Sequence, residues 1–186
     1  MYIEVDVEKS YRLMTGGPVI MIASQSKDGV ADVMSCAWNC PFAYDEMMPV
    51  LDLGHTTTAN ILDTGKLTIC IPSVEQGRTI LAVGNYHGRE CGDKFVKTNT
   101  PFDTGSNGIK VPTGCLAYLE CDLLNHDLLK QTGICLCKVK RATVQEKYWD
   151  KEKEHFGEGM KLIPHHVTGS LLISGGEIKS YSRGGD

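Results

Sequence analysis

Val33-Met34-Ser35-Cys36-Ala37-Trp38 decides how this chain is read, because it completes an extended run that starts at Val30, just after a turn signal at Lys27-Asp28-Gly29. The segment before the turn, Pro18 to Ser26, is apolar and β-prone, so the two together predict a hairpin. Side chains alternate along a strand, which places Val33, Ser35 and Ala37 on one side and Met34, Cys36 and Trp38 on the other. Small residues at 35 to 37 leave the backbone approachable, and Trp38 stands beside them as a wall. Such a surface suits a planar, hydrogen-bonding ligand. An ordinary core strand has the same local pattern, so the remainder of the chain has to separate the two readings. In the preceding strand Met21, Ile22 and Ala23 run together and predict burial on both faces.

Beyond Trp38, the stretch from Asn39 to Pro49 contains many breakers and reads as a loop, over the mouth of the fold or on a partner-facing surface. Val50 to Gly54 is expected to be a short strand. His55 to Thr58 supplies four consecutive polar side chains, and Ala59 to Gly65 reads as a short helix. Thr57 or Thr58 can cap that helix and Gly65 can close it. The free backbone N–H groups and hydroxyls at its start make an anion site, although capping alone accounts for one of the threonines. Lys66 to Ile71 alternates, with Leu67, Ile69 and Ile71 on one side, and predicts a strand packed on one face and ended by Pro72. Ser73-Val74-Glu75-Gln76 opens an amphipathic helix in which Val74, Arg78, Leu81, Ile80 and Val83 recur at helical spacing until Gly84.

His87 to Phe95 reads as a loop holding two glycines and two cations. Arg89 and Lys94 can reach an anion there, and Gly88 and Gly92 permit close backbone approach, as a ligand clamp requires. Thr98 to Thr113, with Pro101, Gly105, Gly108 and Pro112, reads as a surface connection. Cys115 to Leu124 is an expected strand, Asn125 to Gly133 a turn and Ile134 to Glu146 a long strand, together a second antiparallel hairpin. Tyr148 to Lys161 is charged and reads as a partly helical surface arm, anchored by Trp149, Phe156 and Met160, that could pack on a partner subunit. Gly169 to Ser174, Gly175-Gly176 and Glu177 to Tyr181 predict a final tight hairpin. Strands outnumber helices, which points to an antiparallel barrel with one or two helices.

The totals set the frame for this reading. A length of 186 residues fits a single domain spanning 1–186, and 41% apolar with 23% charged residues are globular values. The formal charge of −4, with Lys and Arg scattered, gives no footprint for nucleic acid or an anionic membrane surface. The first residues lack a basic segment followed by an apolar run, and no later run reaches transmembrane length, so a cytoplasmic location is expected. Eight cysteines without a C-x-x-C pair read as reduced thiols. Cys135 and Cys137 share a face of their strand and are expected to be small buried residues; a metal or redox role stays open.

In order and spacing, the Asp28-Gly29 hairpin, Val33-Met34-Ser35-Cys36-Ala37-Trp38, Thr57-Thr58-Ala59-Asn60-Ile61, Thr64-Gly65, Ile71-Pro72, Gly88-Arg89 and Asp93-Lys94-Phe95 resemble the flavin reductase-like family, and within it the flavoredoxins. The resemblance covers nearly the whole chain. It implies an antiparallel split β-barrel that binds FMN non-covalently and works as a homodimer with the flavin near the subunit interface. By the same resemblance Ser35, Cys36, Ala37 and Trp38 line the isoalloxazine, Thr57, Thr58 and Asn60 hold the phosphate and ribityl end, and Gly88, Arg89, Asp93 and Lys94 complete the clamp. Phe95 is assigned to packing.

The chain departs from the family pattern at three places. Asp32 stands where Asn is common, and a carboxylate near a phosphate repels it unless paired or turned away. His87 replaces a frequent Ser. Reductases of the family often carry Gly-Asp-His in the second hairpin for the nicotinamide side, and the matching stretch here is Lys130-Gln131-Thr132-Gly133. The implied function is therefore an FMN redox protein of the flavoredoxin type, exchanging electrons with a redox partner protein or with NAD(P)H. An NAD(P)H:flavin oxidoreductase is the alternative. A flavin-free binding domain whose cysteines hold a metal is the third reading, and the lack of a closely spaced Cys/His quartet counts against it.

Overall fold

The first hairpin forms where the sequence places it, with β1 at Ile20–Gln25 and β2 at Ala31–Cys36. Their antiparallel register runs from Ile20 opposite Cys36 to Gln25 opposite Ala31. Gly29 turns the corner at φ +84°, a left-handed conformation that glycine adopts without strain. The computed structural model describes residues 18–152 and the strand segments at 155–156, 165–167 and 170–172.

Around this hairpin the chain adds β3 (Asn39–Ala43), β4 (Glu46–Pro49), β5 (Lys66–Ile71), β8 (Ala117–Leu123) and β9 (Cys137–Val144). Together they form one curled antiparallel sheet of seven strands in the order β2-β1-β5-β8-β9-β4-β3. A separate hairpin pairs β6 (Phe102–Thr104) with β7 (Lys110–Pro112). Five short helices accompany the strands among the described residues: α1 (Thr56–Thr64), α2 (Gly77–Gly84), α3 (Gly88–Cys91), α4 (Lys94–Thr98) and α5 (His126–Thr132). No helix among the described residues is long and apolar enough to cross a membrane.

β1 is buried on both faces, as its unbroken apolar run predicts, and so divides the core in two. Met21 and Ala23 join Val33, Ile80, Val83 and Phe95 in a cluster covered by α2, α4 and the β6–β7 hairpin. Ile20 and Ile22 join Met34, Cys36, Ile61, Leu129 and the thiols of Cys121, Cys135 and Cys137 in a second cluster under α1 and α5. Cys135 and Cys137 are thus buried apolar residues on one face, as expected. The thiols of Cys121 and Cys135 are pushed up, first by the Cys137 thiol beside each and then by burial, which favours their protonated forms.

Several sequence expectations are corrected. The breaker-rich stretch from Asn39 to Pro49 is the β3–β4 hairpin, because β4 pairs with β9 and long-range hydrogen bonds outweigh its poor strand propensity. Val50 makes only an isolated bridge to Ile134, so 50–54 is not a strand. β5 is packed on both faces, since Thr68 and Cys70 are buried along with Leu67 and Ile69. The helix after Ser73 begins with a 3-10 turn at Val74–Gln76 closed by a Ser73/Gln76 capping box, and it buries Ile80 and Val83 while Arg78 and Leu81 stay exposed.

The stretch from His87 to Phe95 is not a loop. It carries α3 and the start of α4, whose N-cap is Asp93. The segment from Thr98 to Thr113 holds the β6–β7 hairpin and buries Ile109 and Val111. Asn125 to Gly133 is helix α5, capped by the Asn125 side chain at 2.9 Å from the Leu128 amide. The charged arm after Tyr148 opens as a short strand pair, Trp149–Asp150 with His155–Phe156. Ser170–Leu172 pairs with His165–Val167, and the expected turn at Gly175-Gly176 lies outside the described residues, as does the Gly16-Gly17 lead-in.

Gly133 connects α5 to the groove described below. Its φ is +79°, its carbonyl accepts from the Leu51 amide at 2.8 Å, and a Cβ there would stand 2.3 Å from the Leu51 carbonyl oxygen. Gly133→Ala is therefore expected to destabilise the protein by about 1–3 kcal/mol, read as a lower midpoint in urea unfolding.

Candidate functional site

The sheet order puts β2 at one end, so among the described residues no strand occupies its outer edge. α1 and α4 both pack on β2, and their ends meet at Asp32. Thr57 Oγ1 donates to Asp32 Oδ2, and Lys94 Nζ lies 3.0 Å from Asp32 Oδ1. Both charged side chains are buried, at 4% exposure for Lys94 and 2% for Asp32. An isolated charge would be costly there, and each supplies the other's counter-ion. The carboxylate that was expected to repel an anion is thus paired.

This pair lies at the end of a cavity of about 50 Å³ lined by Ser35 on β2, His55, Thr56 and Thr57 at the start of α1, Gly84 closing α2, and Tyr86, His87 and Gly88 at the start of α3. Two of its glycines stand in close approach to their neighbours. A Cβ on Gly88 would come within 2.6 Å of Asp32 Oδ1, and one on Gly84 within 2.5 Å of Ser35 Oγ. His55 Nδ1 and Thr56 Oγ1 are buried without a hydrogen-bond partner beside the N-terminus of α1, and Asp32 Oδ1 has the Lys94 ammonium as counter-ion but no well-angled hydrogen bond. Unpartnered polar atoms at a helix N-terminus suit an anionic ligand.

Met34, Ser35 and His55 also line a neighbouring cavity of about 540 Å³, bounded by Cys36, Ala37 and Trp38 along β2, by Leu51, Asp52 and Leu53 opposite, and by Thr132 at the end of α5. That size falls in the range of small-molecule and cofactor sites, roughly 300–1,000 Å³. The two cavities make a groove along β2 with a polar, helix-capped end and a wider, more apolar end. Burial pushes the Cys36 thiol up to about 12, and its Sγ lies 3.3 Å from the Trp38 carbonyl, so it serves as a neutral wall and not as a thiolate nucleophile.

Of the residues singled out from the sequence, Ser35, Cys36, Ala37, Trp38, Thr57, Gly88 and Lys94 line the groove. Four do not. Thr58 Oγ1 donates to the Asp52 carbonyl at 2.6 Å, and Asn60 Nδ2 donates to Ser24 Oγ at 3.2 Å, so both tie α1 to its surroundings. Asp93 accepts from the Phe95 amide at 2.9 Å and pairs with Lys110 at 2.7 Å. Arg89 is exposed on α3 and lines neither cavity.

The threonines are not caps. His55 is the N-cap residue, and Thr57 and Thr58 lie inside α1, where the inward turn of their side chains was invisible to a capping argument. Sequence reasoning placed His55 and Thr56 in the polar run at the start of α1 without giving either a role of its own, and it missed Gly84 and Tyr86 as site residues. The adjacency of His55-Thr56 to the threonine run is the one signal that pointed to any of them. Among the described residues no three His, Cys, Asp or Glu side chains are grouped as a metal site requires.

The family model described as "Flavin reductase like domain" matches residues 11–159. Among solved structures, an FMN-binding domain of a flavin reductase-like enzyme from Shewanella baltica OS155 superposes with a TM-score of 0.78 at 21% identity, over 95% of this chain and 96% of that one. Flavoredoxin of Desulfovibrio vulgaris gives 0.74 at 18% identity over 92% and 93%. The 2-nitrobenzoate 2-nitroreductase NbaA of Pseudomonas fluorescens gives 0.82 at 13% identity over 99% and 97%. No curated protein matches the sequence. The fold is a split β-barrel of this kind.

Removing one partner of the buried pair leaves the other charge stranded. Lys94→Ala is expected to cost about 3–5 kcal/mol of stability, measurable by denaturant unfolding without added ligand. An unchanged midpoint would show that the pair is not formed in solution.

Proposed function

Because the chain belongs to the flavin reductase-like domain family, we propose that it holds FMN non-covalently in the groove along β2 and acts as a redox protein of the flavoredoxin type. The observation that carries this reading is the groove itself. A wide apolar end of about 540 Å³ adjoins a narrow end where His55 Nδ1 and Thr56 Oγ1 lack partners and two glycines leave room. These features fit a ligand with a planar ring system at one end and a phosphate at the other.

The flavin, when bound, supplies the electron chemistry. The chain's own residues bind and orient it. In this reading Ser35, Cys36, Ala37 and Trp38 form the wall for the ring system, and backbone N–H groups along β2 favour negative charge on its polar edge. The unpartnered Thr56 hydroxyl and the first amides of α1 receive the phosphate, while the Thr57 hydroxyl stays on Asp32. Lys94 and Gly88 shape the narrow end, Lys94 through its hold on Asp32.

A carrier is favoured over an NAD(P)H:flavin oxidoreductase by the wall opposite β2. Thr132 stands there, within the stretch where reductases of the family often carry a histidine, and its hydroxyl is already committed to the Leu128 carbonyl at 2.7 Å. The reading further includes a homodimer formed over exposed apolar residues, Trp38 and Leu53 at the groove and Phe42 and Tyr44 on the β3–β4 hairpin, and a protein redox partner. It also places the chain in the cytoplasm, where its free thiols stay reduced.

The protein is expected to be yellow as purified, or to become so on adding FMN, with the flavin reduced slowly by NADH or NADPH and faster by a protein donor in stopped-flow absorbance. A colourless protein that takes up no FMN sinks the proposal. Rapid bleaching by a nicotinamide alone would replace the carrier with the reductase.

A further inference from the structure

We infer that Asp52 gives the wide end of the groove a negative lip, so that the site admits uncharged or cationic electron partners and turns away anionic ones. This rests on the flavin reading above and adds to it the charge class of the partner.

The lining of the groove carries the first half of the argument. Across both cavities its lysine, arginine, aspartate and glutamate side chains are Asp32, Lys94 and Asp52. Asp32 and Lys94 lie 3.0 Å apart in a buried pair, and beyond that separation their two fields largely cancel. Asp52 is left over. It is exposed, and among the described residues no lysine or arginine forms a salt bridge with it. The rest of the wide end is mostly apolar, with Met34, Leu51 and Leu53 in its wall, and offers no opposing charge.

The second half is that this carboxylate is held where it stands. Its Oδ1 accepts from the Gly54 amide at 2.6 Å, and the Asp52 carbonyl accepts from the His55 amide at 3.2 Å and the Thr58 hydroxyl at 2.6 Å. One residue back, the Leu51 amide donates to the Gly133 carbonyl at 2.8 Å, and two back the Val50 amide donates to the Trp38 carbonyl at 2.8 Å. Asp52 is thereby tied to α1, to the end of α5 and to the end of β2. It faces the Cys36 to Trp38 wall across the cavity. The amides of β2 act on a ring system lying in the groove, while the carboxylate on the opposite wall acts on whatever approaches that ring.

A fixed charge at the mouth of a cleft with low-dielectric walls is focused into the opening and steers what enters. The surroundings do not reverse its sign. On β4, Asp45 and Glu46 share Lys138 at 2.6 and 3.7 Å, which leaves negative charge in excess, and the chain as a whole carries a formal charge of −4. α5 brings Asp127 and Lys130, of opposite sign and both exposed. A nicotinamide dinucleotide, with its phosphates, belongs to the rejected class. A protein donor with a cationic contact face belongs to the admitted one.

The first arm of the test needs no flavin. In a Trp149→Phe background Trp38, which lines the same cavity, is the one tryptophan of the chain. Its fluorescence is quenched with caesium, iodide and acrylamide at low salt and about pH 8, the upper end of the range in which unperturbed histidine changes charge. The caesium-to-iodide ratio of quenching constants is expected to fall at least about twofold in Asp52→Asn, whose side-chain oxygen can still accept from Gly54. It should hold in Asp28→Asn, which removes one charge at the exposed β1–β2 turn.

The second arm takes the FMN-loaded chain, reduced with stoichiometric dithionite, into stopped flow with hexaammineruthenium(III) or ferricyanide. Each metal(III) ion takes one electron and becomes metal(II), so two are consumed for each flavin reoxidised and the protons pass to the buffer. The ratio of the ruthenium to the ferricyanide rate is expected to fall at least about threefold in Asp52→Asn and to hold in Asp28→Asn. Should Asp52→Asn fail to fold, the native chain still decides, because both ratios have to fall as salt is raised. Ratios that salt leaves unmoved, that Asp52→Asn leaves unchanged, or that Asp28→Asn changes equally overturn the inference. A Trp38 that acrylamide does not reach also overturns it, since the lip is then closed. A chain that takes up no FMN overturns the flavin reading, while the quenching ratios still decide the sign of the charge at the lip.

Discussion

The buried ion pair between Asp32 and Lys94 is the constraint on which the rest of the site depends. It joins β2 to α4 directly, and through Thr57 it joins both to α1, by three residues at least 25 positions apart in the sequence. Both charges have left water, so the pair contributes little net stability of its own, yet neither half can be lost alone without stranding the other. Its effect is geometric. The start of α1 and the start of α4 have to meet at the edge of the barrel, and the cavity between them follows from that meeting.

Glycine is what allows the meeting to be so close. Gly88 brings the start of α3 against Asp32 and Thr56 at distances a Cβ would not tolerate, and Gly84 brings the end of α2 against the Ser35 hydroxyl. The narrow end of the groove is therefore rigid and polar. The wide end, between β2 and the segment from Val50 to Leu53, is set by Gly133, whose carbonyl fixes the Leu51 amide from the far side. One end is thus organised by charge and the other by backbone packing.

Where the signal was local, it was legible in the residues. The Lys27-Asp28-Gly29 turn, the double-faced burial of β1, the Ser73/Gln76 capping box and the closure of α1 at Gly65 in a left-handed conformation are each fixed by a few neighbouring residues. The β3–β4 hairpin was not legible, since Pro41, Pro49 and Asp45 argue against a strand until β9 is there to pair with β4. α3 and α4 were hidden for a similar reason. Helices of four and five residues have almost no periodicity to detect; α3 buries Gly88 and α4 buries its own Lys94 and Phe95, and that tertiary burial holds them. In the site, Thr58, Asn60 and Asp93 looked like ligand residues because their types suit a ligand; in the fold they bond to the Asp52 carbonyl, Ser24 and Lys110.

By itself, then, the sequence determined the antiparallel barrel class, its leading hairpin, the small-residue edge from Ser35 to Trp38 and a polar helix start beside it. Strand alternation, turn chemistry and helix ends act over a few residues and can be read there. Only the tertiary structure decided where the charge of Lys94 goes, which threonine faces the cavity, and that His55 and Thr56 are left with unsatisfied buried atoms. Those outcomes depend on which distant side chains share a desolvated volume. Burial sets both the strength of an ion pair and the cost of an unmade hydrogen bond, and burial is a property of the packed chain.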